Sequence, residues 1–239
     1  MPVSRLFEEL DYRPTEIGAI SLRRRHEPRV GQDVYEIKLG DEFLMSSLFT
    51  ASEIALARSG LNSLTGERLE VAVGGLGLGY TADAVLDDDR VASLLVIDLL
   101  DAVIDWHVRG LVPLGTRLTG DPRCRLVQGD FFALAASEAG LDADQPGRRF
   151  DAILLDIDHS PAAHLDPRSA QFYSPERLRR LAGHLRPAGV FGLWSNDKPD
   201  PAFVALLAAA FSEAWAEAVE FDNPLQANRA TQTVYLARP

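Results

Sequence analysis

Cysteine, positive charge and long apolar runs are all scarce in this chain of 239 residues. The single cysteine, Cys124, excludes an intrachain disulfide framework. No apolar run approaches the roughly 18 residues of a membrane span, and no basic-then-apolar stretch resembles a signal peptide, so we expect a cytoplasmic protein. The formal net charge of −11 argues against nucleic acid or an anionic membrane surface as the main partner.

Composition and length are typical of a soluble globular protein with one main domain. The hydrophobic content of 46% and the charged content of 25% are ordinary for that class. Residues 1–47 contain short extended runs separated by turn-forming residues such as Gly40 and Asp41, which predicts a small antiparallel β unit. We therefore expect two parts, this β unit over residues 1–47 and a main domain over residues 48–239.

From Leu69 onward, apolar strand-like runs alternate with helical stretches. Strands are predicted at residues 69–73, 94–97, 125–127, 152–155 and 190–194, and a final strand pair at 217–221 and 231–237. Helices are predicted at residues 81–86, 102–109, 131–137, 175–185 and 201–217. Continuous apolar strands with helical crossovers predict an α/β fold, a doubly wound and mostly parallel sheet of about seven strands with helices on both faces.

A glycine-rich turn follows the first of these strands. Val73 leads into Gly75, Gly77 and Gly79, which stand at alternate positions before a helix-compatible segment. Glycine there lets the backbone approach a ligand and adopt a positive φ. Asp98 ends the next apolar run, about 20 residues further on, where an acid holds ribose hydroxyls in nucleoside-binding sheets. The pattern predicts a nucleoside-cofactor site; the alternative is a turn that only lets helix and strand pack closely.

Acidic residues recur at the predicted carboxyl ends of the strands, where open parallel sheets bind ligands. After Asp98 these are Asp130, Asp156 and Asp158. Asp130 can accept a hydrogen bond from an adenine amino group, or it can cap the next helix, since aspartate is a favoured N-cap. His159 follows, and histidine can act as a general base or orienting group. Its spacing from other histidines lacks a tight ligand pattern, so we expect no metal site.

The order of these motifs resembles the class I S-adenosylmethionine-dependent methyltransferase fold and, within it, the spermidine synthase family. The matching segments are VGGLGLG at 73–79, VIDLLDAVI at 96–104, DPRCRLVQGD at 121–130, FDAILLD at 150–156, FYS at 172–174 and LRPAGV at 185–190. The resemblance covers nearly the whole chain. It implies that residues 48–239 form a Rossmann-like catalytic domain that binds S-adenosylmethionine, and that the protein forms a homodimer.

The resemblance also implies a cofactor site built from the glycine turn and the strand-end acids. In it the glycines approach the methionine part of the cofactor, one acid holds the ribose and another the adenine, and Asp156 lies beside the reacting amine. The predicted cofactor-binding residues are Gly75, Gly77, Gly79, Asp98, Leu99, Asp130, Phe131 and Asp156.

Several residues depart from the family pattern on the acceptor side. Gly77 stands where the family's turn usually carries an aspartate that holds the aminopropyl amine, and His159 stands where its Asp-x-x-Asp has the second acid. The family has a Tyr-His-Glu motif ahead of the first strand of the main sheet, and of it only the glutamate is retained here, as Glu53. Because an unpaired buried ammonium costs several kcal/mol, these changes favour methyl transfer from S-adenosylmethionine.

The predicted reaction moves an alkyl group from an S-adenosyl sulfonium to a small, cationic amine acceptor. Asp156, Asp158 or His159 is expected to remove the acceptor's proton. Two alternatives stay open: spermidine synthase-type aminopropyl transfer from decarboxylated S-adenosylmethionine to a polyamine, and a non-catalytic nucleoside-binding protein. Trp194, after the fifth main strand, either lines the acceptor pocket or is a buried strand-end residue.

Overall fold

Two β-sheets organise the chain in a computed structural model, which describes residues 6–226 and 228–239. Residues 1–5 of the predicted N-terminal β unit lie outside the described residues. The first sheet is antiparallel, and its strands follow in chain order: β1 (Phe7–Thr15), β2 (Gly18–Glu27), β3 (Gln32–Leu39) and β4 (Glu42–Ser46). The sequence pattern missed β1. The division into domains at residue 47 stays a prediction.

The second sheet is the main one. Its strands are β5 (Leu69–Gly74), β6 (Val91–Asp98), β7 (Cys124–Gln128), β8 (Phe150–Leu155), β9 (Leu185–Ser195), β10 (Glu213–Asp222) and β11 (Arg229–Arg238). They lie in the order β10-β11-β9-β8-β5-β6-β7. The strands from β5 to β9 run parallel, and β10 and β11 form an antiparallel pair at one edge. The predicted fold class, a mostly parallel seven-stranded α/β sheet with a small N-terminal antiparallel sheet, is confirmed.

Helices flank the main sheet on both faces. They are α1 (Ala51–Asn62), α2 (Tyr80–Leu86), α3 (Asp101–Val108), α4 (Gly115–Gly120), α5 (Phe131–Ala136), a 3-10 helix (Pro167–Tyr173), α6 (Pro175–Ala182) and α7 (Pro201–Ala208). Successive strand residues point to opposite faces. Val71 and Val73 therefore pack in the core beside α1 and α2, whereas Ala72 packs in a second core beside α5 and α6. None of the described helices is long and apolar enough to cross a membrane.

The predicted helix over residues 201–217 is wrong at its second half. Helix α7 ends at Ala208, and the chain enters β10 at Glu213. Alanine-rich sequence favours a helix by intrinsic propensity. Here the pairing of β10 with β11, which runs without a break from Glu213 opposite Arg238 to Asp222 opposite Arg229, decides the conformation instead.

The strand order reverses beside β5, and this creates a crevice at the carboxyl edge of the sheet. Strand β5 pairs with β6 on one side and with β8 on the other. The Asp156 amide donates to the Gly74 carbonyl at 2.8 Å, so the ends of β5 and β8 lie side by side. Ligands of open α/β sheets bind at such a switch point.

The N-terminal sheet is held against the main domain by a buried hydrogen bond. Trp106, on α3, is fully buried, and its indole N–H donates to Oδ2 of Asp11 in β1 at 2.7 Å. Arg13 bonds the same carboxylate at 2.9 Å and also pairs with Asp105 on α3. The contact fixes β1 and β2 over the crevice.

The substitution Asp11→Ala should destabilise the fold because it leaves the buried Trp106 N–H without an acceptor. We expect the free energy of unfolding to fall by about 1–3 kcal/mol in denaturant titrations. Asp33→Ala is the matched control, since the Asp33 side chain contacts the His26 ring at 3.1 Å on the exposed side of the same sheet. The control should change stability by less than about 0.5 kcal/mol. An equally small change for Asp11→Ala would contradict the proposed anchoring.

Candidate functional site

A cavity of about 340 Å³ lies at the carboxyl ends of β5, β6 and β8. The four-stranded sheet covers it with apolar side chains, among them Ile20, Ile37 and Met45. Nearly all the site residues predicted from the sequence line this cavity: Gly75, Gly77, Asp98, Leu99, Asp130, Phe131, Asp156, Asp158 and His159. The structure thus brings them together, while their individual roles stay predictions.

Gly75 and Gly77 allow close approaches that a side chain would prevent. Gly75 has a φ of 95°, and a Cβ there would collide with the backbone carbonyl oxygen of Asp156. At Gly77 a Cβ would collide with the sulfur of Met45, which also accepts the Leu78 N–H at 3.0 Å. Met45 therefore fills the space into which the family's aspartate would project from position 77.

Gly79 lies apart from the cavity lining. It precedes α2, and a Cβ there would come within 2.6 Å of Leu118 and 2.9 Å of the His107 ring. His107 is buried, with Nε2 at 3.0 Å from the Gly77 carbonyl, and burial lowers its pKa. A neutral His107 therefore donates a hydrogen bond to the Gly77 carbonyl and stabilises the glycine turn. Gly79 itself serves the close packing of α2 against α3 and α4.

Asp98 is fixed by the backbone around it. The Leu76 amide donates to its Oδ2 at 2.8 Å and the Leu100 amide to its Oδ1 at 2.9 Å. Burial raises the pKa of Asp98, and these backbone bonds act against that rise. With the Gly77 amide, three backbone donors meet the four lone pairs of the carboxylate, so the preoriented group can still accept a hydroxyl hydrogen from a ribose.

Asp130 caps α5. Its Oδ1 accepts the Phe132 and Ala133 amides at 2.9 and 3.1 Å, as the alternative to adenine binding predicted. Both bonds fall on one oxygen, and Asp130 also lines the cavity, so capping leaves the other oxygen for a ligand. Phe131 packs under Gly74, whereas Phe132, which sequence analysis missed, is half-buried at the cavity wall.

Asp156 and Glu53 both place a carboxyl group at the cavity. Asp156 follows β8, and its Oδ2 accepts the Thr81 hydroxyl at 2.6 Å. Glu53, on α1, is 6% exposed. Burial and, as the second largest cause, the negative charge of Asp156 raise the pKa of Glu53 to about 8. Burial raises the pKa of Asp156 to about 6, although the Thr81 bond lowers it.

Polar groups behind Glu53 hold it in place. Ser52 Oγ lies 2.8 Å from Glu53 Oε2, and the Trp194 indole N–H donates to Ser52 Oγ at 2.8 Å. Ser52 also contacts Oε1 of Gln232, whose amide donates to Asn196 Oδ1 at 2.7 Å. Trp194 lines the cavity, as one of the two sequence interpretations had it.

Asp158 and His159 have different surroundings. Asp158 is buried, and it accepts the Leu165 amide at 2.8 Å, the Ser169 hydroxyl at 3.1 Å and the Tyr173 hydroxyl at 2.7 Å. These bonds hold the loop after β8. His159 lies at the rim, with Nε2 at 3.0 Å from Glu42 Oε1 of β4. The catalytic roles of both stay predictions.

Among the described residues, no group of three or more histidine, cysteine, aspartate or glutamate side chains is arranged to hold a metal ion.

No family model matches the chain, but comparison with individual proteins finds relatives. A polyamine aminopropyltransferase of Pyrobaculum islandicum is 26% identical over 121 residues, which are 51% of this chain and 39% of that protein. The crystal structure of spermidine synthase from Thermotoga maritima has a TM-score of 0.73 at 16% identity, over 96% of this chain and 72% of that one. The chain is similar to the spermidine synthases.

Two further structures share the fold. A spermidine synthase in complex with the transition-state analogue AdoDATO has a TM-score of 0.73 at 15% identity, over 100% of this chain and 82% of that one. Human methyltransferase-like protein 13 in complex with SAH has a TM-score of 0.58 at 19% identity, over 78% of this chain and 82% of that one. The resemblance to the spermidine synthase family within the class I methyltransferase-like fold is confirmed.

The prediction of methyl transfer as the main activity is wrong. The curated relative is an aminopropyltransferase, and the spermidine synthases superpose better than the methyltransferase-like protein, with TM-scores of 0.73 against 0.58. The prediction rested on the acids missing at Gly77 and at His159. The structure shows that Met45 fills that space and that Glu53 brings a carboxyl group to Asp156 from another direction.

Stability should depend on pH through Glu53. The folded state holds this proton more tightly than the unfolded chain, so the resulting stabilisation is complete below about pH 4.5 and is lost as the pH rises through about 8. Glu53→Gln has no proton to lose. The stability of the variant relative to the original protein should therefore rise across this window, by at most about 1.4 kcal/mol per pH unit. Denaturant unfolding at both ends of the window measures it, and a constant difference would contradict the raised pKa.

Proposed function

We propose that this protein transfers an aminopropyl group from decarboxylated S-adenosylmethionine to a small amine, which yields a longer polyamine and methylthioadenosine. The observation that carries the proposal is a pair of carboxyl groups, those of the buried Glu53 and the half-buried Asp156, which line a cavity together with Asp98. Similarity to a polyamine aminopropyltransferase and to spermidine synthases supports it.

The charges around the cavity favour a cationic ligand. Among the described residues, its acidic lining comprises Glu53, Asp98, Asp130, Asp156, Asp158 and Asp166. The two arginines of the lining are Arg168 and Arg177, and Arg168 is 72% exposed and paired with Asp166. The carboxylate of intact S-adenosylmethionine would be repelled here, whereas the ammonium groups of its decarboxylated form and of an amine acceptor would be attracted.

The glycine turn and Asp98 supply the nucleoside end of this site. Gly75 lets the backbone come close to the ligand, and the preoriented Asp98 carboxylate accepts the ribose hydroxyls. Asp130 and Phe132 are placed for the adenine. The sulfonium of the donor then lies between the turn and Asp156.

The chemistry requires mostly positioning. The neutral acceptor nitrogen attacks the methylene carbon next to the sulfonium, and the carbon–sulfur bond breaks with its electron pair moving to sulfur. The new ammonium gives its excess proton to a carboxylate, for which Asp156 is placed. The protein contributes by holding nitrogen and carbon about 3 Å apart and in line. Asp158 positions the loop that follows Asp156. His159 contacts Glu42 at the rim of the cavity.

The direct test is the product. Decarboxylated S-adenosylmethionine with a diamine should give methylthioadenosine and a triamine, read by mass spectrometry. Asp156→Asn keeps the shape but cannot take a proton, so turnover should fall by about 10²–10⁴-fold while methylthioadenosine binding changes little. Asp33→Asn, on the exposed side of the four-stranded sheet, is the control. Absence of methylthioadenosine with every diamine, or S-adenosylhomocysteine formed from S-adenosylmethionine, would contradict the proposal.

The nucleoside end is tested by binding alone. Asp98→Ala removes the carboxylate that would accept the ribose hydroxyls, and bonds to a charged acceptor are worth about 1.5–3 kcal/mol. The affinity for methylthioadenosine, measured by calorimetry, should therefore fall by about 10–150-fold. Asp130→Asn keeps a capping oxygen and should have a smaller effect. Equal affinity for Asp98→Ala and the original protein would place the nucleoside elsewhere.

A further inference from the structure

The hydrogen bonds around Ser52 define which group carries a proton. A serine hydroxyl has one hydrogen and two lone pairs. Ser52 Oγ accepts the Trp194 indole N–H and contacts Gln232 Oε1 and Glu53 Oε2. Since the Gln232 amide nitrogen donates to Asn196, its oxygen faces Ser52 and takes the serine hydrogen. The Ser52–Glu53 contact at 2.8 Å then needs a hydrogen from Glu53, which is a neutral carboxylic acid in this arrangement.

The other groups that face Glu53 leave its charge uncompensated. Asp156 approaches from the end of β8, and its carboxylate is bonded by Thr81 of α2. Tyr80, also on α2, is the remaining titratable neighbour, and burial raises its pKa. Trp194 from β9 and Gln232 from β11 are neutral. Within the described part of the chain no cation pairs with either acid, so together they keep a single proton near neutral pH.

We propose that Glu53 is a substrate-binding residue of this site: Glu53 and Asp156 together hold one proton, which Glu53 carries towards Ser52, and the ammonium group of the acceptor amine displaces that proton on binding. This inference rests on the proposed function. The exchange balances, because the two acids lose one proton to solvent and gain one ammonium. An ammonium offers three N–H donors, so it can bond both Glu53 and Asp156 once that proton has left.

The pair explains how the site discriminates by charge. An uncharged ligand such as methylthioadenosine has no donor of this kind and leaves the proton in place. A diamine must release it, so the affinity for a diamine should rise with pH. Glu53 is thereby charged only when an amine is present.

The test counts the protons released when an amine binds. 1,4-Diaminobutane is titrated calorimetrically into protein saturated with methylthioadenosine, near neutral pH, in buffers of different ionisation enthalpy. We expect release approaching one proton per site, and an affinity that rises towards tenfold per pH unit between about pH 6 and pH 8. In Glu53→Gln the release and the pH dependence should disappear, while methylthioadenosine binds as before, which also shows that the variant is folded.

Glu217→Gln is the matched control. Glu217 also accepts a serine hydroxyl from α1, that of Ser59 at 2.5 Å, but it lies outside the cavity lining. The Glu217→Gln variant should release protons on diamine binding as the original protein does. Diamine binding without proton release, release that persists in Glu53→Gln, or no diamine binding would each overturn the inference. Product formation without proton release would refute it and leave the proposed function standing, whereas release without product would refute only the function.

Discussion

The contact between the ends of β5 and β8 governs the whole site. The Asp156 amide bonds the Gly74 carbonyl, and the Asp156 carbonyl lies so close to Gly75 that no side chain fits there. This contact puts the last carboxylate of β8 directly beside the glycine turn. Asp98, fixed by Leu76 and Leu100, lines the same cavity as Asp156. In the proposed function, the donor extends from its ribose at Asp98 to its sulfonium near Asp156.

The four-stranded sheet completes the site by excluding water. It supplies apolar side chains such as Met45 over a crevice that an open sheet would leave exposed, and the buried Asp11–Trp106 bond holds it there. Burial in turn raises the pKa values of Glu53 and Asp156. Two acids at one cavity are costly for stability, since neither has a cation beside it in the described structure. In the proposed function, that cost favours a ligand that brings the cation.

The parts that could be predicted from sequence are those that depend on a short stretch of chain. The glycine turn, Asp98 and Asp156 follow apolar strands directly, so their place at the sheet edge follows from strand geometry. Met45 reaches the cavity from β4 of the other sheet, and nothing in its local sequence indicates it. The first residues of β10 were predicted as helix, because the pairing of β10 with β11 outweighs alanine's propensity. Sequence analysis noted Glu53 only as the retained glutamate of the family's Tyr-His-Glu motif. Its proximity to Asp156 became visible only in the structure.

The most direct test of the account compares two sulfonium ligands that differ in one group. Calorimetric titration of S-adenosylmethionine and of its decarboxylated form measures whether the acids near the sulfonium select against a carboxylate. The account predicts tighter binding of the decarboxylated form, because Glu53 and Asp156 repel the carboxylate that only S-adenosylmethionine carries. Equal affinities, or tighter binding of S-adenosylmethionine, would contradict the assignment of this cavity to aminopropyl transfer.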